Sequence, residues 1–245
     1  MNVKSLIIGN GEIGSSLKKV LDLRKNKGKT ITYDVKDLEI PDIYEVEIMH
    51  ICIPYTEQFV SEIVRYAKKY IPSLIIIHST VPVGTTSIIN KILKKENLSE
   101  AVHSPVRGTH PRLTESLLYF TKYIGTSNKK AYLIAKKEMS NMKTKWFKKS
   151  EETELGKLLC TAYYGLCISW HRETEKMCKY FKVDFDNVMT DFNITYNKGY
   201  KKFKQNVIRP VLTSPGKEKI GGHCIIPNAK ILNSQIKSDF LKLIK

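Results

Sequence analysis

Gly9-Asn10-Gly11-Glu12-Ile13-Gly14 constrains this chain more than any other stretch. It directly follows an apolar run, Val3 to Ile8, and directly precedes an amphipathic one, Ser15 to Leu23. Three glycines at this spacing between a strand and a helix make a dinucleotide-binding turn. The first glycine lets the chain turn, the second admits a pyrophosphate to the backbone, and the third lets helix and strand pack closely. The helix N-terminus that follows favours negative charge. A second strand-like run, Thr30 to Tyr33, leads into Asp34, 20 residues beyond Gly14. A carboxylate there accepts hydrogen bonds from ribose hydroxyls and repels a 2′-phosphate, so NAD is expected rather than NADP, with nearby Lys36 working against that preference. The candidate cofactor residues are therefore Gly9, Asn10, Gly11, Glu12, Ile13, Gly14 and Asp34, joined by Pro54 after the third strand and by Ser79 and Thr80 after the fourth.

Further strand-like runs, Ile48 to Ile53, Leu74 to His78 and Ala101 to His103, alternate with helical patterns at Glu57 to Tyr70 and Thr85 to Lys95. Tyr119 to Ile124 is a candidate sixth strand. This alternation predicts an α/β fold, a Rossmann-type doubly wound parallel sheet covered on both faces. Near residue 148 the pattern changes. Leu155, Leu158, Leu159, Ala162, Leu166 and Trp170 recur at helical spacing, predicting one long helix from Glu151 to about Tyr180 with Trp170 in its buried stripe. A second helix is expected from about Phe185 to Tyr200 and a terminal one over Asn228 to Lys245, after an irregular segment from Pro210 to Pro227. The expected domains are residues 1–148, binding NAD, and a smaller all-helical one, residues 149–245.

The net charge of +17 is spread along the whole chain with no aromatic-basic reading motif, so nucleic acid is not the expected partner; anionic substrates and cofactors are. The basic cluster Lys198, Lys201, Lys202 and Lys204 reads as a solvated face that would also suit the rim of an anionic site. The apolar runs are strand-sized, so no membrane span is expected, and a chain that enters a strand straight after Met1 leaves no room for a leader. Five cysteines without a CxxC pair fit a reducing cytoplasm and neither a disulfide framework nor a zinc site. Of these, Cys52, Cys160, Cys167 and Cys178 read as packing residues. No metal is expected. His103 and His110 read as polar loop residues, with His110 a distant acid–base candidate, and Arg107 suits a phosphate or carboxylate.

The exception among the cysteines is Cys224, in Gly221-Gly222-His223-Cys224. A thiol at such a bend can attack an aldehyde carbon, and His223 can lower its pKa. Together with Ser79-Thr80-Val81-Pro82-Val83-Gly84-Thr85-Thr86, His103-Ser104-Pro105 and Glu154-Leu155-Gly156-Lys157, this segment resembles the UDP-glucose/GDP-mannose dehydrogenase family in order and spacing, the GGHCI form looking most like its N-acetylhexosaminuronate branch. The resemblance implies four-electron oxidation of a primary alcohol with two NAD reduced. Cys224 would be the nucleophile, Lys157 would support the oxyanion, and Thr80 would sit near the nicotinamide. It also implies a nucleotide-sugar substrate and a homodimer along the long helix; Arg107, Lys157 and His223 are the candidate substrate-binding residues.

Three positions depart from the family pattern. Val106 replaces the expected acid, Thr161 an asparagine and Asn228 an aspartate, so Thr161 and Asn228 complete the catalytic candidates with altered chemistry. A shortened form without the family's third, nucleotide-binding domain is expected. Two other readings stay open: a two-electron enzyme like the β-hydroxyacid dehydrogenases, and an inactive NAD-binding subunit that needs a partner.

Overall fold

The computed structural model describes residues 2–24, 28–34, 36–37, 43, 45–203, 207–212 and 224–244. They form two compact units, residues 1–157 and 158–245. The first unit is built on a seven-stranded sheet of order β2-β1-β3-β4-β5-β6-β7. Its strands are β1 (Asn2–Ile8), β2 (Thr30–Tyr33), β3 (Glu45–Ile51), β4 (Leu74–Ile77), β5 (Ala101–His103), β6 (Lys122–Gly125) and β7 (Thr144–Phe147). The Rossmann-type sheet predicted from the sequence is present. All pairings are parallel except β5 with β6, a difference from the expected all-parallel sheet. The central strands read as almost unbroken apolar runs because both faces are covered. Ile75, Ile77, Ile51, Phe59, Ile63 and Ile89 fill one layer. Ile7, Leu17, Val20, Ile76, Val102 and Leu117 fill the other.

Helices α1 (Glu12–Asp22), α2 (Phe59–Tyr70) and α3 (Thr85–Lys95) fall where the apolar spacing predicts them. Two further helices, α4 (Leu113–Tyr119) and α5 (Lys129–Glu138), and the edge strand β7 were not anticipated. Asn128 caps α5 by accepting from the Lys130 and Ala131 amides, satisfying two of the donors a helix start leaves open.

The long helix, α6 (Ser150–Phe181), has 32 residues. In the second unit it is followed by a π-helical segment, Asp186–Asp191, then α7 (Phe192–Lys202), α8 (Ile225–Gln235) and α9 (Asp239–Lys242). The single terminal helix expected from Asn228 onward is thus two, separated at Ile236, whose backbone is extended. Gly165 makes the close approach of α8 possible: a Cβ there would lie 2.7 Å from Ile225 Cγ2 and 2.9 Å from Ile244 Cγ2. Ala162, Ile225, Ala229 and Ile244 form the small core of this unit. Trp170 is not part of that core; it is 57% exposed and lines an apolar cleft with Tyr163, Leu166 and Phe240. Leu155 and Leu159 of the predicted stripe are exposed as well, while Leu158 and Ala162 are buried. Among the described residues, no helix is long and apolar enough to cross a membrane.

Candidate active site

The glycine turn is shaped by contacts that forbid side chains. Gly9 has φ +98°, and a Cβ on it would lie 2.7 Å from the Cys52 carbonyl oxygen. A Cβ on Gly14 would lie 1.9 Å from Gly9 O, so this glycine is what lets α1 close on the turn. Gly11 differs: a Cβ there would meet nothing within 4 Å. Strand β1 thus ends in a turn whose middle glycine faces open space, as a cradle for a pyrophosphate requires. Asp34 clasps this turn, its Oδ2 accepting from the Asn10 N–H at 2.8 Å and its Oδ1 from the Lys36 N–H at 3.2 Å. Asp37 in turn accepts from the Asp34 N–H at 2.6 Å. In the first turn of α1, the Glu12 carboxylate bonds the ring of His110, which is an exposed residue.

Pro54 lies exposed just past β3. Ser79 is buried at the end of β4, and its hydroxyl donates to Ile53 O at 2.6 Å, tying together the two loops that carry Pro54 and Thr80. Thr80 is half-buried. The rest of the STVPVGTT loop is anchored by Glu154, a fully buried residue of α6. Its carboxylate accepts from the Gly84 N–H at 2.6 Å, the Thr86 N–H at 2.9 Å and the Thr86 hydroxyl at 2.6 Å. Burial raises the pKa of this carboxylate, against those three bonds.

His103 is not the loop residue it was read as; it ends β5, fully buried. Its Nε2 faces Ser79 O at 3.1 Å and its Nδ1 the Thr153 hydroxyl at 2.7 Å. Burial pushes this imidazole down to about 3, so it is neutral and donates to Ser79 O. Lys157, half-buried, lies close enough for its charge to act on both His103 and Lys122. Lys122 is a site-region residue that the sequence reading missed. It is buried, and its Nζ donates to Ser104 O at 2.5 Å and Pro105 O at 2.9 Å. Burial lowers its pKa to about 7, with Cys52 opposing and Lys157 adding to the shift. Cys52 itself is raised to about 12 by burial, with Lys122 pulling the other way. The sequence signal was a lone lysine inside the strand-like run Tyr119 to Ile124. Val106 is buried in the apolar layer, and Arg107 beyond it is held over the Tyr123 ring at 5.2 Å, its Nη1 donating to the Tyr123 hydroxyl at 3.2 Å.

In the second unit, Cys224 immediately precedes α8 and is half-buried. One turn on, the Asn228 N–H donates to Cys224 O at 3.1 Å. The buried Asn228 side chain donates from Nδ2 to the Thr161 hydroxyl at 3.1 Å, and that hydroxyl donates to Leu158 O at 3.0 Å. Two of the three positions that depart from the family pattern therefore bond each other, one turn from the cysteine. His223, Gly221 and Gly222 lie outside the described residues, as does Lys204; Lys198, Lys201 and Lys202 are exposed. Of the cysteines read as packing, Cys178 is buried but Cys160 is exposed. Among the described residues, no three His, Cys, Asp or Glu side chains are grouped to hold a metal ion.

Sheet order, glycine turn and helical second unit define a Rossmann-type α/β unit followed by a helical one. In sequence the chain is similar to two curated proteins named UDP-N-acetyl-D-mannosamine dehydrogenase, in line with the resemblance its motifs carry. It is 27% identical over 243 residues to UDP-N-acetyl-D-mannosamine dehydrogenase of Pyrococcus horikoshii, covering 94% of this chain and 54% of that one. It is 26% identical over 171 residues to the protein of the same name from Methanocaldococcus jannaschii, covering 68% of this chain and 37% of that one. The chain thus spans about half the length, or less, of these curated relatives. No family model matches it. Among solved structures it is similar to UDP-D-ManNAc dehydrogenase from P. horikoshii, with TM-score 0.76, 17% identity, and coverage of 99% of this chain and 68% of that one. It is also similar to Mycobacterium tuberculosis 3-hydroxyisobutyrate dehydrogenase, with TM-score 0.72, 13% identity, and coverage of 99% of this chain and 91% of that one.

Proposed function

We propose that this chain is an NAD-dependent dehydrogenase that oxidises a primary alcohol of a small anionic substrate of the nucleotide-sugar class. The observation that carries this reading is the glycine turn clasped by Asp34, with open space only over Gly11, in a chain whose sequence relatives are nucleotide-sugar dehydrogenases. Gly9 to Gly14 would hold the pyrophosphate and Asp34 the adenosine ribose; Ser79 and Thr80 would border the nicotinamide. NAD bound there would supply the hydride acceptor. The chain's own residues do the rest. Arg107 meets the substrate's negative charge with a guanidinium already oriented by Tyr123. Cys224 adds its sulfur to the aldehyde carbon, its proton passing to the carbonyl oxygen, and so holds the carbon for a second oxidation to a thioester. By the resemblance carried by its motifs, Lys157 would support the oxyanion formed on that addition. Water then cleaves the thioester to the acid and the free thiol. Val106, Thr161 and Asn228 supply no carboxylate to activate that water, so hydrolysis is the slow step; loss of a general base costs about 10²–10⁴ in rate.

A second reading is a two-electron oxidation of a small hydroxy acid. It rests on the likeness in fold to 3-hydroxyisobutyrate dehydrogenase, with TM-score 0.72. A homodimer in the cytoplasm completes the proposal. The test is NADH formation with a panel of nucleotide sugars and small hydroxy acids, wild type beside Cys224→Ser. Turnover of a nucleotide sugar that Cys224→Ser abolishes supports the covalent route, and two NADH per substrate identify the acid as product. Full activity of the serine variant on a hydroxy acid supports the second reading. NAD binding without turnover on any substrate overturns both, leaving a subunit that acts with a partner chain.

A further inference from the structure

A chain of buried polar groups crosses the sheet beneath the strand ends, and the proposed chemistry makes no use of it. It starts at Arg24, which donates to Thr30 Oγ1 at 2.9 Å and pairs with Glu138 Oε1. The same oxygen accepts from the Ser5 hydroxyl at 2.7 Å and faces His50 Nε2 at 3.1 Å. His50 Nδ1 faces His78 Nε2 at 2.9 Å, and His78 Nδ1 faces Ser104 O at 2.8 Å. Both imidazoles are at most 1% exposed.

Counting protons along this chain gives a definite answer. A carboxylate stands at one end and a backbone carbonyl at the other, and both only accept. The first imidazole must therefore present an N–H to Glu138, the second an N–H to Ser104, and one proton must lie between the rings. That requires three protons on four ring nitrogens, whereas two neutral imidazoles carry two. Glu138 is a poor source for the third. Its Oε1 already receives Ser5 and Arg24, and its Oε2 has no partner among the described residues to accept from a protonated form. The charged and titratable groups around the pair are Glu138 of α5, Arg24 just after α1, Lys122 of β6 and His103 of β5. The single carboxylate touches His50, while Lys122 and His103 act on His78.

We propose that His50 is a buried imidazolium, bonded on one side to Glu138 and on the other to a neutral His78 whose remaining N–H holds the Ser104 carbonyl. Burial and the charge of Lys122 push the His78 pKa well down, in keeping with its neutrality. His78 and Lys122 then meet on the same carbonyl, at the point where the chain leaves β5 toward Arg107. His50, His78 and Lys122 are thus positioning residues for that segment, independent of which substrate it serves.

The test is ¹⁵N–¹H correlation of the histidine rings in the full chain at neutral pH, assigned with His50→Gln and His78→Gln. Three protonated nitrogens are expected on the two rings, with only His78 Nε2 bare. Glu138→Met should lower the count to two, because it removes both the acceptor and the charge that face His50 Nε2, which then needs no N–H. Should that variant fail to fold with Arg24 left unpaired, Arg24→Met/Glu138→Met removes the stranded charge and is expected to show the same count of two. Two protonated nitrogens in the wild type, or three in either carboxylate variant, would overturn the proposal. Neither readout depends on catalytic activity, so a failed dehydrogenase assay leaves it standing.

Discussion

Replacing Gly11 and Gly14 separately by alanine distinguishes the ligand-facing part of the glycine turn from the part that only packs. At Gly14 the new Cβ would lie 1.9 Å from Gly9 O and 2.9 Å from Gly9 C, both backbone atoms that cannot swing aside. Relieving this to ordinary contact requires a backbone shift of more than about 1 Å, and forced overpacking costs roughly 1–3 kcal/mol. For a chain of this size each kcal/mol is about 2–4 °C in Tm, so Gly14→Ala should melt roughly 2–12 °C lower. At Gly11 the new methyl meets no atom within 4 Å, and the backbone, with φ −67° and ψ −168°, suits any residue. Restricting the unfolded chain stabilises by about 0.4–1 kcal/mol, and losing a glycine N-cap offsets a similar amount, so Tm should stay within about 2 °C. That methyl nonetheless occupies the space a pyrophosphate needs. NADH affinity should fall by at least about tenfold, about 1.4 kcal/mol or more. Differential scanning fluorimetry and NADH fluorescence titration on the same samples read both quantities. Wild-type NADH affinity in Gly11→Ala would refute the placement of the cofactor on this turn. Wild-type stability in Gly14→Ala would refute the packing argument.

Other perturbations report on the rest of the first unit. Asp34→Asn keeps an acceptor for the Asn10 N–H but removes the charge, so NADPH should gain on NADH by about tenfold in relative affinity; an unchanged ratio would remove Asp34 from cofactor selection. Glu138 is held down to about 2: burial works against ionisation, but His50, Ser5 and Arg24 outweigh it. A depressed carboxylate contributes stability above its ordinary pKa and loses it as pH falls, so about 3 kcal/mol should vanish between pH 4.5 and about 2, and urea midpoints in Glu138→Gln should not share that loss. Lys122 falls from 10.5 to about 7, so the unfolded chain binds the extra proton between those values and stability should rise with pH across that window. Lys122→Met, similar in volume, should flatten that rise, and an identical slope in both proteins would show that Lys122 keeps its ordinary proton affinity.

What could be read from the sequence was whatever the chain repeats locally. Gly9 to Gly14, the strand runs beside it and Asp34 lie within one βαβ unit, where spacing alone places them. Helix α5 left a faint signal in Asn128 at its cap, but the lysines that crowd Lys129–Glu138 blur its apolar face. The antiparallel turn of β6 and the four-residue edge strand β7 follow from pairing with neighbours, which no window of sequence contains. The same holds for the buried polar chain: Ser5 and Glu138 are 133 residues apart, and each looks ordinary in its own segment. Trp170 misled because an apolar residue at helical spacing says which side of α6 it occupies and not whether anything covers that side. The bond between Thr161 and Asn228 joins two positions that, taken singly, read as unrelated losses.

Among the described residues two glycine turns open helices, at α1 and α3, and Glu154 decides between them. At α3 the amides of Gly84 and Thr86 already face a carboxylate of the protein itself. An anion drawn to that helix end would have to displace a buried charge held by three hydrogen bonds. At α1 the acid of the first turn, Glu12, bonds His110, and Asp34 takes the Asn10 amide ahead of the helix. The protein therefore carries its own competitor at the wrong address. On the proposed placement of the cofactor, phosphate would be steered to one turn by electrostatic exclusion at the other, and the second glycine turn becomes a rivet that fixes the start of the long helix to the sheet.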